Sequence, residues 1–281
     1  SHGQSFGKHY LSFCDRPKDY EQGWSKDHIH YGFWFDDTKT HEESLINHTK
    51  EVVRLLDIKP GNRVLDAGCG SGGSSRYIVE NYGVETIGVM LSPALLAAAK
   101  ELSKNTINNH LLTFYEKDYT DSGFDDEFFD RIFAIESVCQ EPKKGKFISE
   151  AYRMLKKNGK IVVADFYMLR SDLNEKEISS YREWCDGWFI PDLAHKEEFF
   201  EMLNHHGFKN VTYHDKTDLL KKSGKMMYDE ARNRLPMVFA QHSRGELPQT
   251  RLDHVIATYR QWECIKWGIW GFGMFVADKM I

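Results

Sequence analysis

The chain has 281 residues, 41% of them hydrophobic and 14% aromatic, with a formal net charge of −5. That length and apolar content support a sizeable core, and the negative charge argues against a general nucleic-acid binder, which needs a basic surface to displace counterions from phosphates. Cys14, Cys69, Cys139, Cys185 and Cys264 show no C-x-x-C and no paired spacing, so reduced thiols are expected rather than a disulfide frame or a sulfur-ligated metal.

Residues 1–41 carry Tyr20, Trp24, His28, His30, Tyr31, Phe33, Trp34 and Phe35, too many aromatics for a disordered tail, so they read as an arm folded over the rest. Within it, Ile29-His30-Tyr31-Gly32-Phe33-Trp34 fits a ligand mouth with imidazole and phenol as its polar tips, or simply pins the arm to the core. Leu45, Ile46, Val52, Val53, Leu55 and Leu56 fall at helical spacing between Thr40 and Asp57, ahead of Pro60-Gly61. The stretch from Arg63 through Val64, Leu65, Asp66, Ala67, Gly68, Cys69, Gly70, Ser71, Gly72 and Gly73 then reads as a strand, a tight turn and a helix start. Glycines there admit positive φ and close approach of a ligand, and the helix N-terminus offers unpaired N–H groups and a favourable dipole. The glycine pattern alone also suits a phosphate cradle or a nicotinamide fold; the acid placed before it is the informative part.

Downstream, strands are expected at 84–90, 111–116, 129–135 and 159–166, with helices at 93–104 and 143–155 between them. Such alternation implies an α/β fold with a doubly wound parallel sheet and ligands at the carboxyl ends of its strands. Beyond it, 172–188 reads as a helical cap, 197–203 as a sheet-flanking helix and 209–214 as a sixth strand. The expected organisation is an arm (1–41) and one domain (42–281) with a cofactor core over about 50–170, a cap over 172–192 and an insertion over 216–268. No apolar run approaches the roughly 20 residues of a membrane span, and Ser1-His2-Gly3 opens no basic-then-apolar leader, so the expected location is cytoplasmic.

Several of these residues together carry a resemblance. Val64-Leu65-Asp66-Ala67-Gly68-Cys69-Gly70 with Gly72, Asp118 after the third strand, Phe128-Phe129-Asp130 opening the fourth, and Leu155-Lys156 with Gly159-Lys160 before the fifth resemble the class I S-adenosylmethionine-dependent methyltransferases. Gly88-Val89-Met90-Leu91-Ser92-Pro93 and Ile135-Glu136-Ser137-Val138-Cys139 are similar to the tocopherol, sterol and cyclopropane-fatty-acid branch. Cys185-Asp186-Gly187-Trp188-Phe189-Ile190-Pro191-Asp192 looks like the tocopherol-methyltransferase cap, and 272–279 like the final antiparallel strand. The resemblance implies a seven-stranded Rossmann-like sheet, S-adenosylmethionine as methyl donor and a small-molecule acceptor.

On that resemblance, Asp66 receives the cofactor's ammonium and the backbone at Gly68, Gly70 and Gly72 lets the head group approach. Asp118 accepts from the adenine amino group, with Tyr119 beside it, and Leu91-Ser92 lie where ribose contacts are made. Many relatives put an acid at the end of the second strand, where this chain has Met90-Leu91, and a Gln where it has Leu95. Asp66 and Asp118 could also be turn or cap acids, and Ser92 an ordinary helix cap. Glu136 resembles the acid that isoprenoid C-methyltransferases use as a base; it could instead contact cofactor or cap its loop. His30 and Tyr31 are further candidates for orienting substrate or cofactor.

Met226, Met227, Met237, Phe239, Trp262, Trp267 and Trp270, with Trp184, Trp188 and Phe189, suggest an apolar acceptor chamber, although such residues also serve as core or as contacts between copies of the chain. Lys221, Lys222, Lys225, Arg232, Arg234, Arg244 and Arg251 could hold a diphosphate, bringing Mg2+ with it, or form a solvated face; no dedicated metal site is legible. The expected function is methyl transfer to a small hydrophobic molecule, foremost C-methylation of an isoprenoid or prenylated substrate. N- or O-methylation of an amine or phenol is the alternative, and a non-catalytic cofactor-binding partner the reading from another class.

Overall fold

A computed structural model describes residues 30–280; Tyr20, Trp24, His28 and Ile29 of the arm, and Cys14, lie outside them. Strands β1 (Arg63–Ala67), β2 (Glu85–Met90), β3 (Leu112–Glu116), β4 (Phe129–Ile135), β5 (Leu155–Met168), β6 (Lys209–Asp215) and β7 (Trp270–Asp278) form one sheet in the order β3-β2-β1-β4-β5-β7-β6. Strands β1 to β5 pair in parallel, and β7 runs antiparallel between β5 and β6. β5 starts earlier than the sequence suggests. Leu155 pairs with Phe129, the chain bulges through Asn158 at φ 64, and the ladder resumes at Arg131 and Lys160.

Side chains alternate across the sheet, as a two-residue period requires. Val162, Ala164 and Phe166 enter one apolar cluster, and Ile161, Val163 and Tyr167 the other. Helices α1 (His41–Leu56), α2 (Gly73–Tyr82), α5 (Glu175–Gly187), α7 (Thr217–Ser243) and α8 (Gln249–Lys266) supply the first cluster, through Val52, Ile78, Trp184, Leu220 and Ala257. Helices α4 (Lys144–Met154) and α6 (Lys196–His205) supply the second, through Phe147 and Phe199. Helix α3 (Pro93–Leu102) covers the β3 edge, packing Leu95, Leu96 and Ala99 on Met90 and Phe114. Each buried Val, Leu, Ile, Phe or Met side chain among these stabilises the fold by about 1.5–3 kcal/mol. Both faces of the sheet are therefore covered, which leaves the strand ends as the place for a site.

Local signals explain the element ends. Thr40 caps α1 by accepting from Glu43 N at 3.1 Å, and the Leu45, His48, Thr49, Val52, Val53, Leu56 stripe faces inward. Asn174 and Glu177 form a reciprocal capping box that starts α5, and Gly83 at φ 60 ends α2. Helices α7 and α8 occupy the stretch before β7 as an antiparallel pair whose far end has its own small core of Ala231, Val238, Leu252 and Val255. The four described cysteines are free thiols, and no helix among the described residues is long and apolar enough to cross a membrane.

Candidate functional site

The glycine turn sits where β1 separates β2 from β4, at the carboxyl end of the sheet. Asp66, 3% exposed, points its Oδ2 at the Ser75 hydroxyl of α2, 2.7 Å away. Gly68 (φ 81), Gly70 (φ 53) and Gly72 (φ 85) all take left-handed backbone. At Gly68 a Cβ would meet Ser137 Cβ at 2.5 Å, and at Gly72 it would meet the Phe114 ring at 2.7 Å, so neither position admits a side chain. Gly72 caps α2 without a side-chain bond, which leaves the first amides of that helix directed at the turn.

Hydrogen bonds tie the neighbouring strand ends to this turn. Gly68 N and Cys69 N both donate to Val89 O of β2 at 2.9 Å. Ser137 Oγ, just past β4, donates to Ala67 O at 2.8 Å, and Tyr119 OH, past β3, donates to Ser137 O at 3.1 Å. Asp118 is exposed beside it and fixes its own turn, Oδ1 accepting from Thr120 N (2.8 Å) and Thr120 Oγ1 (2.7 Å). Leu91, 43% exposed, follows β2. Ser92 is buried and its Oγ caps α3, accepting from Leu95 N at 3.2 Å. Two features of the turn suit a polar ligand: the Ser71 hydroxyl is buried with no hydrogen-bond partner among the described residues, and burial pushes the Asp66 carboxyl up to about 7, against Ser75 and Arg76. A cation placed there would restore the charged carboxylate.

Glu136 follows directly on β4. Its φ is 52, an unfavourable setting for a side chain of that size, held by Glu136 N donating to Ala164 O at 2.8 Å. Its Oε2 accepts from Tyr31 N at 2.8 Å and lies 3.7 Å from His48 Nδ1. Burial pushes this carboxyl well above the usual range; the Tyr31 N–H opposes the shift and Asp165 reinforces it. Asp165, at the corresponding place on β5, accepts from Cys139 N and Phe166 N at 2.9 Å each, and burial raises it to about 6.

His30 and Tyr31 lie inside the protein rather than at a mouth, 4% and 0% exposed. Tyr31 O accepts from His30 Nδ1 (2.9 Å) and His48 Nδ1 (2.7 Å), while Tyr31 OH donates to Gln261 Oε1 of α8 at 2.7 Å. Around the Tyr31 ring stand Phe166, Trp188 and Trp270, with centroids at 5.6, 6.1 and 5.9 Å. Ser223 of α7 anchors the arm by accepting from Gly32 N and Trp34 Nε1, each at 3.1 Å.

The residues read as an acceptor chamber divide between surface and core. Met226, Met237 and Phe239 are exposed on α7, and Trp270, stacked on Trp184 at 4.8 Å, is buried core. Of the aromatic residues expected there, Trp188 and Trp270 do gather, with Phe166 of β5, around the Tyr31 ring. The basic residues of the insertion are also partly accounted for: Lys221 pairs with Asp218, Lys225 with Asp229 and Arg244 with Glu246, and Lys222 lies over the Trp34 ring at 4.0 Å. These are the contacts of a solvated face. Sequence reasoning missed His48, Asp165 and Gln261. Only His48 left a signal, a histidine within the apolar stripe of α1.

A family profile described as a methyltransferase domain matches residues 65–163, the span from the glycine turn to β5. The chloroplastic tocopherol O-methyltransferase of Arabidopsis thaliana is 27% identical over 209 residues, 68% of this chain and 60% of that protein. A phosphoethanolamine N-methyltransferase of Triticum aestivum is 33% identical over 178 residues, 63% of this chain and 34% of that protein. The chain thus spans between a third and three-fifths of these relatives. In three dimensions, the geranyl diphosphate C-methyltransferase of Streptomyces coelicolor superposes with a TM-score of 0.71 at 17% identity, covering 96% of this chain and 98% of that one. With its strand order and its glycine turn, the matched span over residues 65–163 is a methyltransferase domain.

Proposed function

We propose that the chain transfers a methyl group from S-adenosylmethionine to a small hydrophobic molecule, foremost to a carbon of an isoprenoid or prenylated acceptor. When bound, the cofactor supplies a methyl group activated by its sulfonium. Asp66 would take its ammonium, and the backbone at Gly68, Gly70 and Gly72 would admit the head group. Asp118 and Tyr119 would meet the adenine, and Leu91 and Ser92 the ribose. In this division, residues about 50–170 hold the cofactor, while the arm (1–41), the cap (172–192) and the insertion (216–268) select the acceptor. In-line methyl transfer asks the protein mainly to align two reactants and exclude water, and the closed aromatic wall of Tyr31, Phe166, Trp188 and Trp270 suits an apolar acceptor.

The observation that carries the carbon-acceptor reading is Glu136. Glu136 is buried, strained and held by the Tyr31 amide; as a base it would take the proton that a methylated carbon must lose, with the rings around Tyr31 stabilising a carbocation on the way. The same wall would hold an ammonium, and the similarity to a phosphoethanolamine N-methyltransferase supports N-methylation as the second reading. Mg2+ enters only with a diphosphate acceptor.

The test is methyl transfer from labelled cofactor into a panel of prenyl diphosphates, quinols and amines, with the product atom located by mass spectrometry and NMR. Label on carbon, lost by about 100-fold or more in Glu136→Gln, is the expected result. Label on nitrogen or oxygen with Glu136→Gln near wild type would replace the carbon reading.

A further inference from the structure

The loop after β4 is bonded to three parts of the molecule at once. Ser137 joins it to the glycine turn through Ala67 O and to the loop after β3 through Tyr119 OH. Asp165, 2% exposed on β5, accepts from Cys139 N at 2.9 Å. The third set of bonds runs to the cap. Gln140 Nε2 donates to Trp188 O at 3.0 Å, and Lys144 Nζ donates to Asp192 O at 2.8 Å. The same ammonium donates back into the loop, to Glu141 O at 2.9 Å and Cys139 O at 3.4 Å, so its three donors meet three carbonyls.

Two features set these bonds apart from ordinary packing. Lys144 is the first residue of α4, a helix with no acid in its first turn and no side-chain cap. A cation there faces the positive end of the helix dipole, an unfavourable placement that the three carbonyls offset. Phe189 lies between the two pinned carbonyls, 6% exposed, at φ 58. That left-handed setting is strained for a side chain of its size and persists only where neighbours impose it. The Trp188 ring, on the first pinned residue, stands 6.1 Å from the Tyr31 ring. We propose that Lys144, together with Gln140, is a positioning residue that latches residues 188–192 of the cap to the loop after β4, so that a ligand ordering the glycine turn also orders the cap. The effect runs through Ser137 on one side and Trp188 on the other, and neither Lys144 nor Gln140 touches the reacting atoms. The inference rests on the glycine turn being the cofactor cradle.

The experiment is hydrogen exchange read by mass spectrometry on the full chain, with and without saturating S-adenosylhomocysteine. The amides followed are those of Trp188, Ile190 and Leu193, which are hydrogen-bonded within the cap. In the wild type the ligand should slow them by at least about fivefold, the lower end of ordinary coupling between sites. In Lys144→Met and in Gln140→Leu the ligand should still bind and still protect the glycine turn, while the slowing of the cap amides falls below about twofold. A merely loosened fold would lose both protections together. Lys146→Met removes an exposed cation from the same turn of α4 and should behave as wild type. Circular dichroism melts confirm that the variants fold; should Lys144→Met unfold, Gln140→Leu decides. Wild-type protein that binds the ligand without slowing the cap amides, or variants that keep the slowing, overturn the proposal. Should the wild type bind no S-adenosylhomocysteine, the cradle reading fails and the latch is judged on ligand-free protein. There, cap amides exchanging at least about fivefold faster in Lys144→Met than in Lys146→Met support it, and equal rates overturn it.

Discussion

At the scale of single residues, Asp66 is a buried acid with little to offset its burial. Asp66 has only Ser75 Oγ and the nearby Arg76 to offset its burial, and its carboxyl rises to about 7. Because that value lies above the unfolded one of about 3.9, the contribution to stability is whole below about pH 4 and is lost as pH rises through the folded value. Between about pH 4 and 7 this group therefore lowers the melting temperature of the cofactor-free protein as pH rises, with little further change above the folded value, and Asp66→Asn should remove that contribution; an identical pH dependence in the variant would refute the linkage. Gly68→Ala is a steric test. It adds a Cβ 2.5 Å from Ser137 Cβ at φ 81, so a loss of about 2 kcal/mol or more in chemical denaturation is expected, whereas an unchanged midpoint would mean the turn can relax. Asp66 and Gly68 were legible because the turn is a local pattern. His48, Asp165 and Gln261 were not, since His48 and Gln261 reach Tyr31, and Asp165 reaches Cys139, only through contacts between separate elements.

Among elements, the described end of the arm is built into the body of the fold. Residues 30–35 are held by hydrogen bonds from α1, α7 and α8 at once, through His48, Ser223 and Gln261. Ser223→Ala removes the acceptor for Gly32 N and Trp34 Nε1, so acceptor KM should rise while affinity for S-adenosylhomocysteine stays put. A matching loss of cofactor affinity would show that the arm serves the cradle instead. In the cap, Asn174→Ala breaks the capping box of α5 and should cost about 1 kcal/mol in a denaturant melt. Helices α7 and α8 show the limit of reading composition. Aromatic and methionine content pointed to a chamber, but helical geometry turns Met226, Met237 and Phe239 outward, and only packing partners reveal which face is inside.

For the whole molecule, the sheet order explains why so many unlike groups converge. The strand order reverses between β2-β1 and β4-β5, and the turn after β1, the loop after β3 and Glu136 after β4 lie at the carboxyl ends of these strands, where open α/β sheets bind ligands. Alternating strand and helix patterns made this architecture readable from the sequence, as did the antiparallel seventh strand through resemblance. The ring cluster of Tyr31, Phe166, Trp188 and Trp270 was not readable, because it is assembled from four separate segments. The most direct test of the methyl-donor site is calorimetric titration of S-adenosylhomocysteine into wild-type chain and Asp66→Ala, with circular dichroism confirming the fold. Saturable one-to-one binding that weakens by at least about tenfold in the variant, as loss of a charge-assisted hydrogen bond demands, is the expected result. Absence of binding to the wild type, or equal affinity in the two proteins, would contradict it.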